Sequence, residues 1–420
     1  MSNFEYQNGQ LMAEKCTLSS IAKTYSTPTF VYSKNAIEQA YMNYANALGE
    51  HSGMICYAVK ANSNIAVLQV LAKCGAGFDI VSKGELQRVL KAGGDPTRII
   101  FSGVGKTTAE MIFAIRAGIA CFNVESHAEI ARLAAAAATA GINAPVSLRV
   151  NPNVDAKTHP YISTGLKENK FGIDILRALE VYEYAKTFET LDIVGVDCHI
   201  GSQLTDTTPF IDALDKVLEL VDTLAKNDIH LKHIDLGGGI GVTYKDEVPP
   251  SISDYLASIK AKIAGRNLSL ILEPGRSIVA NAGVLLTEVE YLKPTEHKDF
   301  AIVDAAMNDN IRPALYQAWQ DILPVKQHTD NDAPKAKNWD IVGPVCETGD
   351  FLGKDRTLAL QQGDILAMMS AGAYGFVMSS NYNSRTRAAE ILIDKDKAYL
   401  VRKRETFDDL INGEQLLQHI

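Results

Sequence analysis

Between residues 54 and 273 the chain repeats one pattern: a short apolar run ends in polar or glycine residues, and a stretch with helical spacing follows. The runs are MICYAV from Met54, GFDIV from Gly77, RIIFS from Arg98, IACFNV from Ile119, PVSLRV from Pro145, DIVGVDC from Asp192, LKHIDL from Leu231 and LSLILE from Leu268. Between them lie helix-like segments, such as the alanine-rich stretch 128–140 and DALDKVLELVDTLAK from Asp212. Strands that alternate with helices predict a parallel sheet. Eight such units over about 220 residues predict a (β/α)8 barrel. An open doubly wound sheet is the alternative, and the lack of a GxGxxG after the first strand weakens it.

After Pro274 the pattern changes. Runs such as GVLLTEVEYLK, DFAIVDA, WDIVGPV, DILAMMS and AYLVRKR are β-rich, and Gly, Pro, Asn and Asp separate them. They predict a mostly antiparallel β domain. The early run TPTFVYS, 27–33, precedes the first barrel unit and is expected to join that domain. The expected division is therefore 1–33 with the β domain, 34–276 as the barrel and 277–420 as the C-terminal β domain. The charged stretch 330–337 reads as an exposed loop.

Composition narrows the function. The chain has 420 residues, 46% hydrophobic and 22% charged, as in an ordinary soluble globular protein. A net charge of −9 argues against a nucleic-acid binder. The start, MSNFEYQNGQ, lacks the basic-then-apolar order of a signal peptide, and no apolar run reaches the roughly 20 residues that span a bilayer. The six cysteines are scattered, without CxxC pairs. That spacing argues for a reducing compartment, with the cytoplasm as the default, and against a structural metal site.

In a barrel of this kind chemistry sits at the C-terminal ends of the strands. Read in order, those ends offer Lys60; Asp79; Ser102 and Gly103; Asn123 and Glu125; Arg149 and Asn151; His199, Gly201 and Ser202; the glycines of DLGGGIG, including Gly239; and Glu273, Pro274, Gly275 and Arg276. A strand that ends on lysine is the first oddity, because an ammonium resists burial. It either reaches solvent along its stem or is held in a pocket for chemistry. Glycine-rich turns let backbone N–H groups approach an anion, and barrels often bind phosphate after strands seven and eight. A phosphate site, a strand-end lysine and a strand-end glutamate together point to pyridoxal phosphate. The lysine would hold its aldehyde as a Schiff base, and Glu273 would pair with the pyridine nitrogen. The plainer reading of Glu273 is a domain-junction ion pair with Arg276.

YAVKAN, HIGSQ, DLGGGIG, EPGR and GPVCETGD resemble the fold-type III pyridoxal-phosphate decarboxylases of basic amino acids, and MNDNIRPALYQAW resembles the branch that acts on diaminopimelate. The resemblance covers nearly the whole chain in the same order. It implies a barrel followed by a β domain, decarboxylation of meso-diaminopimelate at its D-centre to L-lysine, and a homodimer with shared active sites. It implies that Lys60 is the Schiff-base lysine and that His199 stacks on the ring. Ser202 and Gly239 would contact the phosphate, flanked by Gly275 and Arg276, and Glu273 would meet the pyridinium. Cys346 would be the proton donor, delivered with Glu347 from the neighbouring subunit. Arg276, Arg312, Tyr316, Glu347 and Tyr374 would contact substrate, with Tyr374 also near the phosphate. Asp79 and Arg149 would orient the cofactor.

Independently of the resemblance, a second amino-acid head on the substrate calls for a cation for its carboxylate, and arginine suits that task. Pro313 fits the first turn of a helix, which would place Arg312 and Tyr316 on one face. An ornithine or arginine decarboxylase of the same fold is one alternative, but its substrate lacks the distal carboxylate. A racemase gains little from a strongly protonated ring. A non-catalytic homologue could dispense with Lys60 or Cys346, and this chain keeps both.

Overall fold

The structure, a computed structural model, describes residues 4–155, 170–328 and 334–417. It divides into two compact units, residues 37–278 on the one hand and 1–36 with 279–420 on the other.

The unit 37–278 is the barrel. Its strands are Gly53–Ala58, Gly77–Ile80, Ile99–Phe101, Cys121–Val124, Ala144–Asn151, Leu191–Asp197, His233–Asp235 and Ser269–Leu272. Each pairs in parallel with the next, and Ser269–Leu272 returns to pair with Gly53–Ala58, which closes the ring. All eight predicted runs carry a strand. The two-residue strand Ile173–Asp174 is added beside Ala144–Asn151.

Local chemistry sets the helices. Ser82 accepts from the Glu85 N–H, and Thr107 forms a capping box with Glu110. Gly118 and Gly141 end their helices in the left-handed conformation, at φ 75° and 69°. In the alanine-rich helix His127–Ala140 the buried face includes Ile130, Leu133, Ala134 and Ala137, the helical spacing seen in the sequence. The helix Lys34–Leu48 precedes the first strand, and Lys260 donates to the Ala47 carbonyl in its last turn at 2.6 Å.

The other unit is a mixed β-sheet built on the long strand Gly283–Lys293. That strand pairs antiparallel with Thr29–Ser33, Asp299–Val303 and Ile365–Met368. Two ladders are parallel: Thr29–Ser33 with Ala389–Asp394, and Asp299–Val303 with Lys337–Val342. All five residues of Thr29–Ser33 are buried. The strand lies inside the sheet, which fits the apolar run Phe30, Val31 and Tyr32 at its centre. Its Val31 packs in a core with Leu11, Leu18, Val284, Leu286, Ala367 and Ile391. Of the charged stretch 330–337, residues 330–333 lie outside the described residues, and Lys337 opens an exposed strand end. Among the described residues no helix is long and apolar enough to cross a membrane.

Candidate active site

The first barrel strand stops at Ala58, and the chain turns through a short 3-10 helix, Val59–Ala61. Lys60 lies in that turn and is half-exposed at its side chain. Its Nζ donates to Asp79 Oδ2 at 2.8 Å, and Asp79, in the second strand, is wholly buried. The lysine is thus tethered to a carboxylate inside the barrel.

Three further carboxylates lie among the strand ends. Oxygens of Asp197, Asp235 and Glu273 come within 4.8 Å of one another, and all three side chains are buried. Ser102 donates to Glu273 at 3.4 Å, and Gly237 N–H donates to Asp235 at 2.8 Å. Burial pushes the Glu273 carboxyl well above its usual range, and the charges of Asp235, Asp79 and Asp197 push it further. Burial raises Asp197 in the same way, with Asp235 adding to it. Asp235 is pushed up to about 6 by burial, against the pull of the Gly237 N–H. A positive charge placed among these acids would be strongly favoured.

Arg149, on the fifth strand, lies 3.5 Å from Glu125 and 3.8 Å from Asp197. Burial opposes its charge, but Asp197 and Glu125 outweigh burial and hold its pKa above the ordinary value. His199, after the sixth strand, accepts the Gly238 N–H on Nδ1 at 3.2 Å. Burial lowers its pKa well below the usual value, and Arg149 and Lys60 lower it further, so the ring is neutral at pH 7.

The segments 199–204 and 235–242, which contain HIGSQ and DLGGGIG, are bound to each other. Gln203 donates to the Val242 carbonyl at 2.6 Å and accepts the Val242 N–H at 3.1 Å. Leu204 N–H reaches the Gly239 carbonyl at 2.9 Å. The glycines are required by space: a Cβ on Gly238 would collide with the Glu273 carbonyl, and one on Gly239, at φ 119°, would come within 2.7 Å of the Gly201 carbonyl. Arg276 Nε and an Nη donate to Ser202 at 3.2 Å, and its other Nη donates to Tyr244 at 2.7 Å. Gly275 packs against Ala58 and Ala61, which a Cβ would crowd at 3.0 and 3.1 Å.

Lys60, Asp79, Arg149, His199, Ser202, Gly239, Glu273, Pro274, Gly275 and Arg276 all belong to the barrel unit and follow or occupy its strands. The remaining predicted residues belong to the β unit. Arg312 is buried and opens the short helix Arg312–Tyr316, in which Pro313 sits in the first turn; Tyr316 is half-buried. Tyr374 is half-buried, with a left-handed backbone at φ 56° that a tyrosine seldom adopts. Cys346 is exposed, and its N–H donates to Asn383 Oδ1 at 3.0 Å. Glu347 accepts from Tyr382 Oη at 2.7 Å.

Sequence reasoning missed Asp197, Asp235, Gln203 and Tyr244. For the two aspartates the signal was available: each is the last residue of a barrel strand, where the sequence places the chemistry. Tyr244 had none, because its position in a loop says nothing about which arginine it meets.

The family described as pyridoxal-dependent decarboxylase, pyridoxal binding domain, matches residues 34–280. The diaminopimelate decarboxylase of Pseudomonas aeruginosa is 61% identical over 417 residues, covering 99% of this chain and 100% of that protein. The diaminopimelate decarboxylase of Vibrio cholerae is 57% identical, with 99% and 100% covered. Among solved structures, diaminopimelate decarboxylase from Helicobacter pylori complexed with L-lysine superposes with a TM-score of 0.91 at 45% identity, over 95% of this chain and 99% of that one. The M. jannaschii enzyme in co-complex with L-lysine superposes with a TM-score of 0.93 at 39% identity, over 99% and 98%.

Proposed function

The chain belongs to the pyridoxal-dependent decarboxylases, among its diaminopimelate decarboxylases, and from that premise we propose the following division of labour. The reaction removes CO2 from the D-centre of meso-diaminopimelate and leaves L-lysine, the closing step of lysine biosynthesis. The cofactor is pyridoxal phosphate, held in the barrel 34–276.

The observation that carries this reading is the charge balance of the barrel mouth. Asp79, Asp197, Asp235 and Glu273 face the cations Lys60 and Arg149 in a buried setting. Asp79 Oδ1 is buried without a hydrogen-bond partner. These groups fit a protonated pyridine ring. The loop fits a phosphate: the N–H groups of Gly237, Gly238 and Gly241 are taken by Asp235, His199 and Leu204, while that of Gly239 has no acceptor among the described residues. When bound, pyridoxal phosphate supplies an electron sink for the pair left on Cα as CO2 departs.

The chain's own residues do the rest. Lys60 is the covalent anchor for the cofactor's aldehyde, and Asp79 holds its ammonium in place. Glu273 keeps the ring nitrogen protonated. Its high affinity for a proton comes first from burial, and the neighbouring acids Asp235, Asp79 and Asp197, which add to it, also favour a cation there. Neutral His199, fixed through Nδ1 by the Gly238 N–H, would support the ring by stacking. Ser202, Gly239 and Arg276 bind phosphate, with Pro274 and Gly275 shaping the approach. Cys346 returns a proton to Cα. Arg276, Arg312, Tyr316, Glu347 and Tyr374 bind substrate, Arg312 taking the distal carboxylate.

We further infer a homodimer in which Cys346 and Glu347 complete the neighbouring subunit's site; their exposure on their own unit supports this. The six free cysteines support a reducing, cytoplasmic setting. The test is CO2 release from meso-diaminopimelate and from ornithine, side by side. Turnover of ornithine in preference to diaminopimelate would overturn the substrate assignment.

A further inference from the structure

The motif SNYNSR, residues 380–385, has no role in the reading above, yet it makes the most specific contacts with the Cys346 turn. Asn383 Oδ1 accepts the Cys346 N–H at 3.0 Å. Tyr382, one residue earlier, donates through Oη to Glu347 at 2.7 Å. Two consecutive residues of one turn thus hold two consecutive residues of another.

The holding turn is itself under constraint. Asn383 and Ser384 both have left-handed backbones, at φ 57° and 53°. Asparagine tolerates that conformation, serine less well, and such pairs persist only where the surroundings impose them. The surroundings here do so. Asn381 donates to Glu405 at 2.6 Å and to the Arg385 carbonyl at 3.0 Å. Arg385 donates to Asn308 at 2.9 Å and lies 3.6 Å from Asp309, both in the MNDN segment. Asp350 closes the circuit, accepting the N–H groups of Met307 and Val345 at 2.7 Å each. The Cys346 turn is exposed, and without these bonds an exposed turn samples many conformations.

We propose that Asn383 and Tyr382 are positioning residues. Asn383 fixes the Cys346 backbone, so that the thiol is aimed for proton return, and Tyr382 fixes the Glu347 carboxylate for substrate binding. The division rests on the roles given to Cys346 and Glu347 above. It separates two effects: loss of Asn383 Oδ1 disorders the proton donor and lowers kcat, whereas loss of the Tyr382 hydroxyl frees a substrate ligand and raises KM.

The experiment uses the holoenzyme and four variants. Asn383→Gly accepts the left-handed backbone without strain but lacks the acceptor oxygen. Its Tm should match the parent's, its kcat should fall about tenfold with KM within about twofold, and iodoacetamide labelling of Cys346, followed by peptide mapping, should change severalfold. Asn383→Asp keeps an acceptor and should stay within about threefold of the parent kcat. Tyr382→Phe should raise KM more than it lowers kcat. Parent-like kcat and labelling in Asn383→Gly, or equal losses in Asn383→Gly and Asn383→Asp, would overturn the proposal. Cys346→Ala separates the two levels. If it turns over normally, the proton-donor role fails and the positioning role with it. If it is inactive while Asn383→Gly is silent, only the positioning role fails.

Discussion

Lys60 and Asp79 form a 2.8 Å ion pair in which the aspartate is completely buried and the lysine side chain is 39% exposed. The pair explains why a barrel strand gives way to an ammonium group. The charge is held at the mouth by a fixed counter-charge within the barrel, while its stem leaves the amine accessible.

That geometry predicts where the cofactor attaches. Borohydride reduction of the holoenzyme and peptide mapping should find the label on Lys60. Lys60→Ala should fold, carry no label and lose nearly all turnover. A label on another lysine would remove Lys60 from its role.

If Glu273 pairs with the ring nitrogen as proposed, Glu273→Gln removes a carboxylate that is needed more as negative charge develops on the ring than in the bound ground state. Its kcat should fall at least about tenfold, and more than KM rises. Steady-state kinetics at saturating cofactor checks this, and normal turnover would exclude the pyridinium role.

Arg312→Ala should cost about 10- to 100-fold in kcat/KM toward diaminopimelate, the worth of one charge-assisted contact of roughly 1.5–3 kcal/mol. Any trace activity toward lysine or ornithine should hardly change, since neither has a distal carboxylate. Equal losses on every substrate would make Arg312 structural.

The buried acids predict a pH dependence of the cofactor-free protein. Asp235 is pushed up to about 6 from an ordinary 3.8, so the folded chain binds its proton more tightly than the unfolded chain does. Its contribution to stability is full below the ordinary carboxylate range and is lost as pH rises through about 6. Over that window the loss is on the order of 2–3 kcal/mol. Asp235→Asn should remove that part of the slope. Urea unfolding of both proteins from about pH 4 to 7 measures it, and parallel curves would refute it.

Gly238→Ala drives a methyl group into the Glu273 carbonyl and must displace either the loop or the eighth strand end. Cofactor affinity should drop at least tenfold, on the order of 1.4 kcal/mol, as read by fluorescence titration of the stripped protein. Unchanged affinity would mean that the loop yields without moving the phosphate site.

The sequence by itself determined the order of strands and helices, because burial of one face or one stripe leaves a period of two or 3.6 in the local pattern. Barrel geometry then turned a list of strand-end residues, from Lys60 to Arg276, into a single candidate site. The second unit was legible as β-rich, but its parallel pairing of Thr29–Ser33 with Ala389–Asp394 was not, because pairing between strands so distant in sequence leaves no periodic trace. Only the tertiary structure decided that Asp197, Asp235 and Glu273 share one buried space, that Tyr244 and Ser202 hold Arg276, and that Asn383 meets Cys346. Such contacts depend on the closure of the barrel and on the course of loops. Their energies come from burial and proximity, which a residue acquires from its neighbours in space and not from its neighbours along the chain.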